Sequence, residues 1–240
     1  MRNLLITTVG KDNFLHTWSG GNAKNYDIIT MDYIQNPTFK YPGIHKMLQS
    51  LLDYDYYWMP DEDIYLTPGG INKLFEMAAK YQLDLFQPSV EKNHKSFPSW
   101  PMFIHRHCIE EMIPMPFIEI MCPGFSREGL LKCIETFPKS NSGWGLDIIW
   151  AKLLGYQNMG LINSVAVMHT RAPMNGSNLY GILKEPPSAE MSRLLKEYEV
   201  MMTPYVHLEP TPFSSIRSQI RPSRKLANPR SFINNRTRRR

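Results

Sequence analysis

Three adjacent carboxylates, Asp61, Glu62 and Asp63, follow the aromatic run Tyr54-Asp55-Tyr56-Tyr57-Trp58-Met59-Pro60. Like charges this close repel unless solvent or a cation neutralises them. In an extended turn, side chains two positions apart point the same way. Asp61 and Asp63 therefore offer two hard oxygen ligands suited to Mg²⁺ or Mn²⁺, and Glu62 points elsewhere. A divalent cation there would bridge the phosphates of a nucleotide-diphosphate donor and stabilise the charge that develops as the diphosphate leaves. The competing reading is a solvated acidic turn after a strand.

Two further groups belong to the same chemistry. In Ser142-Gly143-Trp144-Gly145-Leu146-Asp147 the glycines permit close backbone approach to a ligand and Trp144 offers a flat face to a sugar ring. The Asp147 carboxylate is placed to accept a proton from an acceptor hydroxyl. Asp147 in the first turn of a helix equally complements the helix dipole, which would lower its pKa and keep it ionised. His169, at the end of Val165-Ala166-Val167-Met168, is either a third metal ligand or a buried structural histidine, depending on its distance from the carboxylates. His105 and His107 share a strand face but have no second ligand pair nearby in sequence, and are not assigned to a metal. Cys108, Cys122 and Cys133 match no zinc or redox spacing and imply no disulfide framework.

The elements that must carry these residues are legible from periodicity. Asn3–Val9 reads as a first buried strand and Tyr26–Met31 as a second, ending in Asp32. Ile44, Met47, Leu48, Leu51 and Leu52 lie at helical spacing and lead into a strand at Tyr54–Met59. A helix over 72–81, a strand over 83–87 and a strand over 117–121 follow. Ser126 then caps a helix carrying Leu130, Ile134 and Phe137. Leu146, Ile149, Trp150 and Leu153 mark the next helix, closed by Gly155, before a strand at Val165–Met168 and a helix over 189–201. Such alternation predicts an α/β sheet flanked by helices, with a C-terminal helical segment. The triplet then lies at the carboxyl end of a strand, where such folds bind ligands.

The runs YDYYWMPDEDIYL, FIEIMCPGFSREGL, SGWGLDIIWAKLLG and VAVMHTRAP resemble, in order and spacing, a family of uncharacterised plant and bacterial proteins with a GT-A-type glycosyltransferase domain. That family shows W-D-E-D, E-x-M-A-P-x-F-S-R, G-W-G-L-D and V-x-H motifs. The resemblance implies a GT-A, Rossmann-like mixed sheet, a nucleotide-sugar donor, and Mn²⁺ or Mg²⁺ held by Asp61, Asp63 and His169. It implies Asp147 as the catalytic base of an inverting transferase. By analogy of fold, Thr7, Thr8, Val9 and Asp32 line the nucleotide, with Asp61 and Trp144 on the donor. The chain departs from the family at Met59-Pro60 and at Cys122-Pro123-Gly124.

With 240 residues and 42% hydrophobic content the chain can bury a full-sized core. The net charge of +5 is uneven: nine Lys and Arg follow Glu209 with no acidic residue, leaving 18 basic against 22 acidic residues, net −4, in positions 1–209. The division expected is a catalytic domain over 1–175, a helical extension over 176–209 and a flexible basic tail over 210–240. Residues 217–240 could engage an anionic membrane surface carrying lipid-linked saccharides, or DNA with hydroxylated bases, and a solvated tail is the plain alternative. No run approaches the roughly 18 apolar residues a membrane helix needs, and the apolar N-terminal run is short for a secretory signal, so a cytoplasmic protein is expected. A non-catalytic nucleic-acid-binding protein with a GT-A-like fold is the competing function.

Overall fold

Seven consecutive buried residues, Asn3–Val9, form strand β1. It is followed by α1 (Leu15–Trp18), β2 (Tyr26–Asp32), α2 (Lys40–Leu48), β3 (Tyr56–Trp58), β4 (Ile64–Tyr65), α3 (Pro68–Lys80) and β5 (Leu85–Val90). Then come β6 (Met112–Pro114), β7 (Gly124–Ser126), α4 (Arg127–Cys133), α5 (Leu146–Leu153), β8 (Met159–His169) and α6 (Pro187–Glu197). The computed structural model describes residues 1–21, 23–171 and 180–200, all within one compact unit. The basic segment 210–240 and its expected flexibility lie outside the described residues, as do parts of the segment 176–209.

The strands form a mixed eight-stranded sheet in the order β2-β1-β3-β7-β5-β8-β4, with β6 also on β8. Strand β1 runs parallel to both β2 and β3, and β5 parallel to β8. Strand β7 is antiparallel to both β3 and β5. Strands β1, β2, β3, β5 and β8 therefore share one direction, and their carboxyl ends meet along one edge. The chain leaves β1 for β2 on one side and returns to β3 on the other, which makes the β1/β3 edge a switch point, the usual ligand crevice of such sheets.

Beneath that edge, Tyr41 of α2 packs its ring on Phe137 and Trp150 at 5.2 and 5.3 Å, and Phe125 of β7 lies 5.1 Å from Trp150. Each such edge-to-face pair adds about 0.5–1.5 kcal/mol beyond the area it buries. The cluster ties α2, which carries Lys40, to α5, which carries Asp147. Helix α6 packs on α5 through Ile149, Leu194 and Leu195.

The expected mixed α/β sheet with flanking helices is what the chain forms, and Ser126 caps α4 by accepting the Gly129 N–H at 2.9 Å. Three local expectations need correction. The helix expected over 72–81 starts at Pro68, because Thr67 caps it and proline is pre-organised for the first turn. Helix α2 stops at Leu48, so Leu51 and Leu52 pack on the core from a turn. Residues 117–121 are not a strand. Their backbone is satisfied by partners outside any ladder: the Glu119 N–H donates to Gln87 Oε1 at 2.8 Å, Lys40 and Tyr41 donate to the Ile120 carbonyl, and the Asp61 N–H donates to the Met121 carbonyl.

Candidate functional site

The acidic triplet follows β3 at the shared carboxyl edge. The buried Thr7 hydroxyl of β1 donates to the Pro60 carbonyl at 2.5 Å and fixes the approach to the turn. Each carboxylate then takes a different direction. Asp61 Oδ1 accepts from Lys40 Nζ at 2.6 Å, and the same ammonium donates to the carbonyls of Ile120 and Met121 at 2.8 and 3.0 Å. Glu62 is buried, accepting the Gly10 N–H, the Tyr33 hydroxyl at 2.8 Å and Arg171 at 2.7 Å. Asp63 Oδ2 accepts from Arg171 Nε at 3.0 Å and lies 3.5 Å from His169 Nε2. Asp63 Oδ1 is buried and has no hydrogen-bond partner.

His169 closes β8, where the register sets it opposite Ile64, the residue after the triplet. Its Nδ1 donates to the Phe97 carbonyl at 2.8 Å, which leaves Nε2 facing Asp63. Burial works against its charge, but Asp63, Asp61 and the Phe97 carbonyl outweigh that and raise its pKa. For Asp63 burial opposes ionisation, yet His169 and Arg171 hold the pKa below the usual carboxylate range. Burial raises the pKa of Asp61 despite Lys40.

The structure therefore brings Asp63 and His169 together and pairs Asp61 with a lysine. Among the described residues no three His, Cys, Asp or Glu side chains converge as a metal-ligand set. The pair still fits a divalent cation in two respects: the Asp63 Oδ1 lone pairs are unused, and a histidine whose Nδ1 donates to a backbone carbonyl presents the other nitrogen to a metal.

The segment before α5 is built by two left-handed glycines, Gly143 at φ +83° and Gly145 at φ +87°, a conformation that disfavours any side chain. Glu190 of α6 holds it: its carboxylate accepts from the hydroxyls of Ser140 and Ser142, both at 2.6 Å, and from the amides of Asn141 and Ser142. Trp144 is half-buried there and Asp147 enters the first turn of α5. Burial pushes the Asp147 carboxyl up to about 6 although the amides of Ile148 and Gly145 oppose it. The downward shift expected from the helix dipole is thus overturned by desolvation.

Glu119, which the sequence motifs contained but which was not singled out as a site residue, precedes Ile120 and Met121, whose carbonyls accept from Lys40 beside Asp61. It is 5% exposed, and its Oε2 has no partner. Burial raises its pKa to about 7, and the charges of His169, Asp147 and Asp61 all reach it. The available signal was a lone carboxylate inside the apolar run Phe117-Ile118-Glu119-Ile120-Met121. Lys40 and Arg171 were also missed. Nothing in their local spacing marks either one.

Of the residues expected to line a nucleotide, Thr7, Thr8 and Val9 are buried, with the Thr7 hydroxyl already committed to Pro60. Asp32 Oδ1 accepts the amides of Ile34 and Gln35 at 2.8 and 3.3 Å and so closes the turn after β2. Beside that turn a cleft of about 400 Å³ is lined by Tyr33, Pro37, Thr38, Phe39, Pro42 and Asn141. Among the described residues no helix is long and apolar enough to cross a membrane.

No family model and no curated protein matches the chain. Among solved structures it is similar to one described as the crystal structure of A197 from STIV, with 14% identity over 70% of this chain and 84% of that one, and a TM-score of 0.39.

Proposed function

We propose that the chain is a metal-dependent glycosyltransferase of the GT-A type, moving a sugar from a nucleotide-diphosphate donor to an acceptor hydroxyl with inversion. The observation that carries this reading is the meeting of the acidic triplet and His169 at the carboxyl edge of a mixed sheet, beside its switch point. Asp63 and His169 are the residues to hold Mn²⁺ or Mg²⁺, with Asp61 joining them by exchanging its lysine partner. The ion, when bound, supplies electrostatic stabilisation of the departing diphosphate.

The remaining work falls to the chain's own side chains. The acceptor oxygen attacks the anomeric carbon, the bond to the diphosphate breaks with its electron pair leaving on the phosphate oxygen, and Asp147 takes the acceptor's proton. A carboxylate poised at about 6 is both ionised and basic enough for that task at neutral pH. Trp144 presents a ring to the sugar, and the turn at Asp32 with the neighbouring Tyr33–Pro42 cleft receives the nucleoside. Lys40 adds a positive charge at the phosphate side of Asp61.

The acceptor is a glycan or lipid-linked saccharide at a surface, or a hydroxylated DNA base, reached with help from the cations of residues 217–240. The nine cations after Glu209 also favour a second reading, a nucleic-acid-binding protein without catalysis. Thermal-shift measurements with nucleoside diphosphates and nucleotide sugars, with and without Mn²⁺, separate the two. Metal-dependent stabilisation, and donor hydrolysis abolished by Asp63→Ala, support the transferase. Salt-sensitive DNA binding with no response to any nucleotide sinks it.

A further inference from the structure

His105 and His107 have no part in the transferase reading, yet their rings meet at 89° with centroids 5.0 Å apart. They belong to the irregular segment between β5 and β6, and the backbone that carries them is pinned to the sheet. The His105 N–H donates to the Val90 carbonyl at 2.8 Å. The buried Asn163 side chain of β8 holds the next residues: its Oδ1 accepts the Arg106 N–H at 2.9 Å, and its Nδ2 donates to the carbonyls of Arg106 and Glu110 at 2.8 and 3.1 Å. The His105 ring is oriented as well. Buried Ser89 of β5 uses its one hydroxyl proton on the Val165 carbonyl at 2.9 Å, so across 3.0 Å it accepts from His105 Nδ1. In the neutral ring Nε2 is then the nitrogen with a lone pair to offer. Both rings are within reach of solvent, His107 exposed and His105 half-buried.

We propose that His105 and His107 form a two-imidazole site for a transition-metal ion of the Zn²⁺, Ni²⁺ or Cu²⁺ class, distinct from the Asp63–His169 pair. An imidazole nitrogen binds such an ion at about 2.0–2.1 Å, which puts each ring centre about 3.2 Å from the metal. Two rings at a nearly tetrahedral angle then have their centres about 5 Å apart, which is the separation these two already have. Nitrogen ligands select this class of ion over Mg²⁺ and Mn²⁺, which favour oxygen. Among the described residues no third His, Cys, Asp or Glu converges on the pair, so the remaining positions of the ion fall to water or to an incoming ligand. Ser89 is the positioning residue: by taking the Nδ1 proton it directs Nε2 to the metal.

The test titrates the full, untagged chain with Ni²⁺ by calorimetry, in wild type and in Asp63→Ala, where the acidic turn no longer competes for the ion. One ion should bind in both. In either background His105→Ala or His107→Ala should weaken that binding by at least about tenfold, and Ser89→Ala by about tenfold with both histidines still engaged. Substoichiometric Cu²⁺ on wild type, read by electron spin-echo modulation, should show two imidazole nitrogens, and this holds the assignment to account if a histidine variant fails to fold. Ni²⁺ affinity unchanged by either histidine substitution, loss confined to one of them, or a single-imidazole Cu²⁺ signal overturns the site and leaves the pair an edge-to-face ring contact. The Mn²⁺-dependent nucleotide response is a separate readout: His105→Ala and His107→Ala should keep it, and its fate decides the transferase reading alone.

Discussion

His169 turns Nε2 toward Asp63 Oδ2, 3.5 Å away, because its other ring nitrogen is tied to the Phe97 carbonyl at 2.8 Å. The imidazole of one strand end and the carboxylate of another loop are thereby aimed at each other across the carboxyl edge of the sheet. A cation held between them would displace the proton that Asp63 favours on the ring, so in the metal-dependent reading binding would release protons and weaken at low pH.

Replacing either partner should abolish the Mn²⁺-dependent thermal stabilisation by a nucleoside diphosphate. Transfer in Asp63→Ala should fall by more than about a hundredfold. Glu62→Gln is the control from the same turn. It weakens the charge-assisted contacts to the Gly10 amide and Arg171, and should cost about 1–3 kcal/mol in urea denaturation while the Mn²⁺ response survives. An unchanged Mn²⁺ response in Asp63→Ala would remove the ligand assignment.

In the transferase reading Asp147 acts as an ionised base, so kcat/KM should climb as pH rises through about 6. Asp147→Asn should lower turnover by roughly 10²–10⁴-fold and erase that acid limb, measured from pH 5 to 8 in constant ionic strength. A mutant that keeps both rate and limb would show that another group takes the proton.

Glu119 also has a signature in stability. The unfolded chain releases its proton near the ordinary 4.5, whereas the folded chain keeps it to about 7. Between these values the folded state binds more protons, so stability falls as pH rises through this window and is level above it. At about 1.4 kcal/mol per pH unit the loss is about 3 kcal/mol, which Glu119→Gln should remove. Urea denaturation at pH 4 and pH 8 reads the difference directly. Parallel pH dependences in the two proteins would contradict the protonated, buried carboxyl.

The Gly145 backbone is left-handed, and a Cβ there would meet Met191 Cγ of α6 at 2.9 Å. Gly145→Ala should therefore cost about 1–2 kcal/mol from the backbone alone. Glu190→Ala removes four hydrogen bonds from the same segment and should free Trp144, detectable as a red shift of its fluorescence with nucleotide binding preserved. An unaltered emission spectrum would mean that the segment holds its shape without Glu190.

Local pattern carried much of the architecture. The β-branched run Asn3–Val9, the Ser126 cap and the glycine-bounded Trp144 segment each express a preference that a few neighbouring residues decide. Residues 117–121 failed as a strand for the opposite reason. Their apolar character reports burial, and burial does not specify a ladder when distant side chains take the backbone's hydrogen bonds.

By itself the sequence determined that three carboxylates follow a buried strand, that a glycine-flanked Trp144 precedes Asp147, and that His169 ends a later strand, because these are short-range facts of periodicity and turn chemistry. Only the tertiary structure decided what each group faces: Asp61 on Lys40, Glu62 on Gly10 and Tyr33, Asp63 on His169, and Glu119 buried with one oxygen unpartnered. Those relations depend on sheet order and on which side chains desolvate one another. Charge and burial act through space, and nearness along the chain does not encode them.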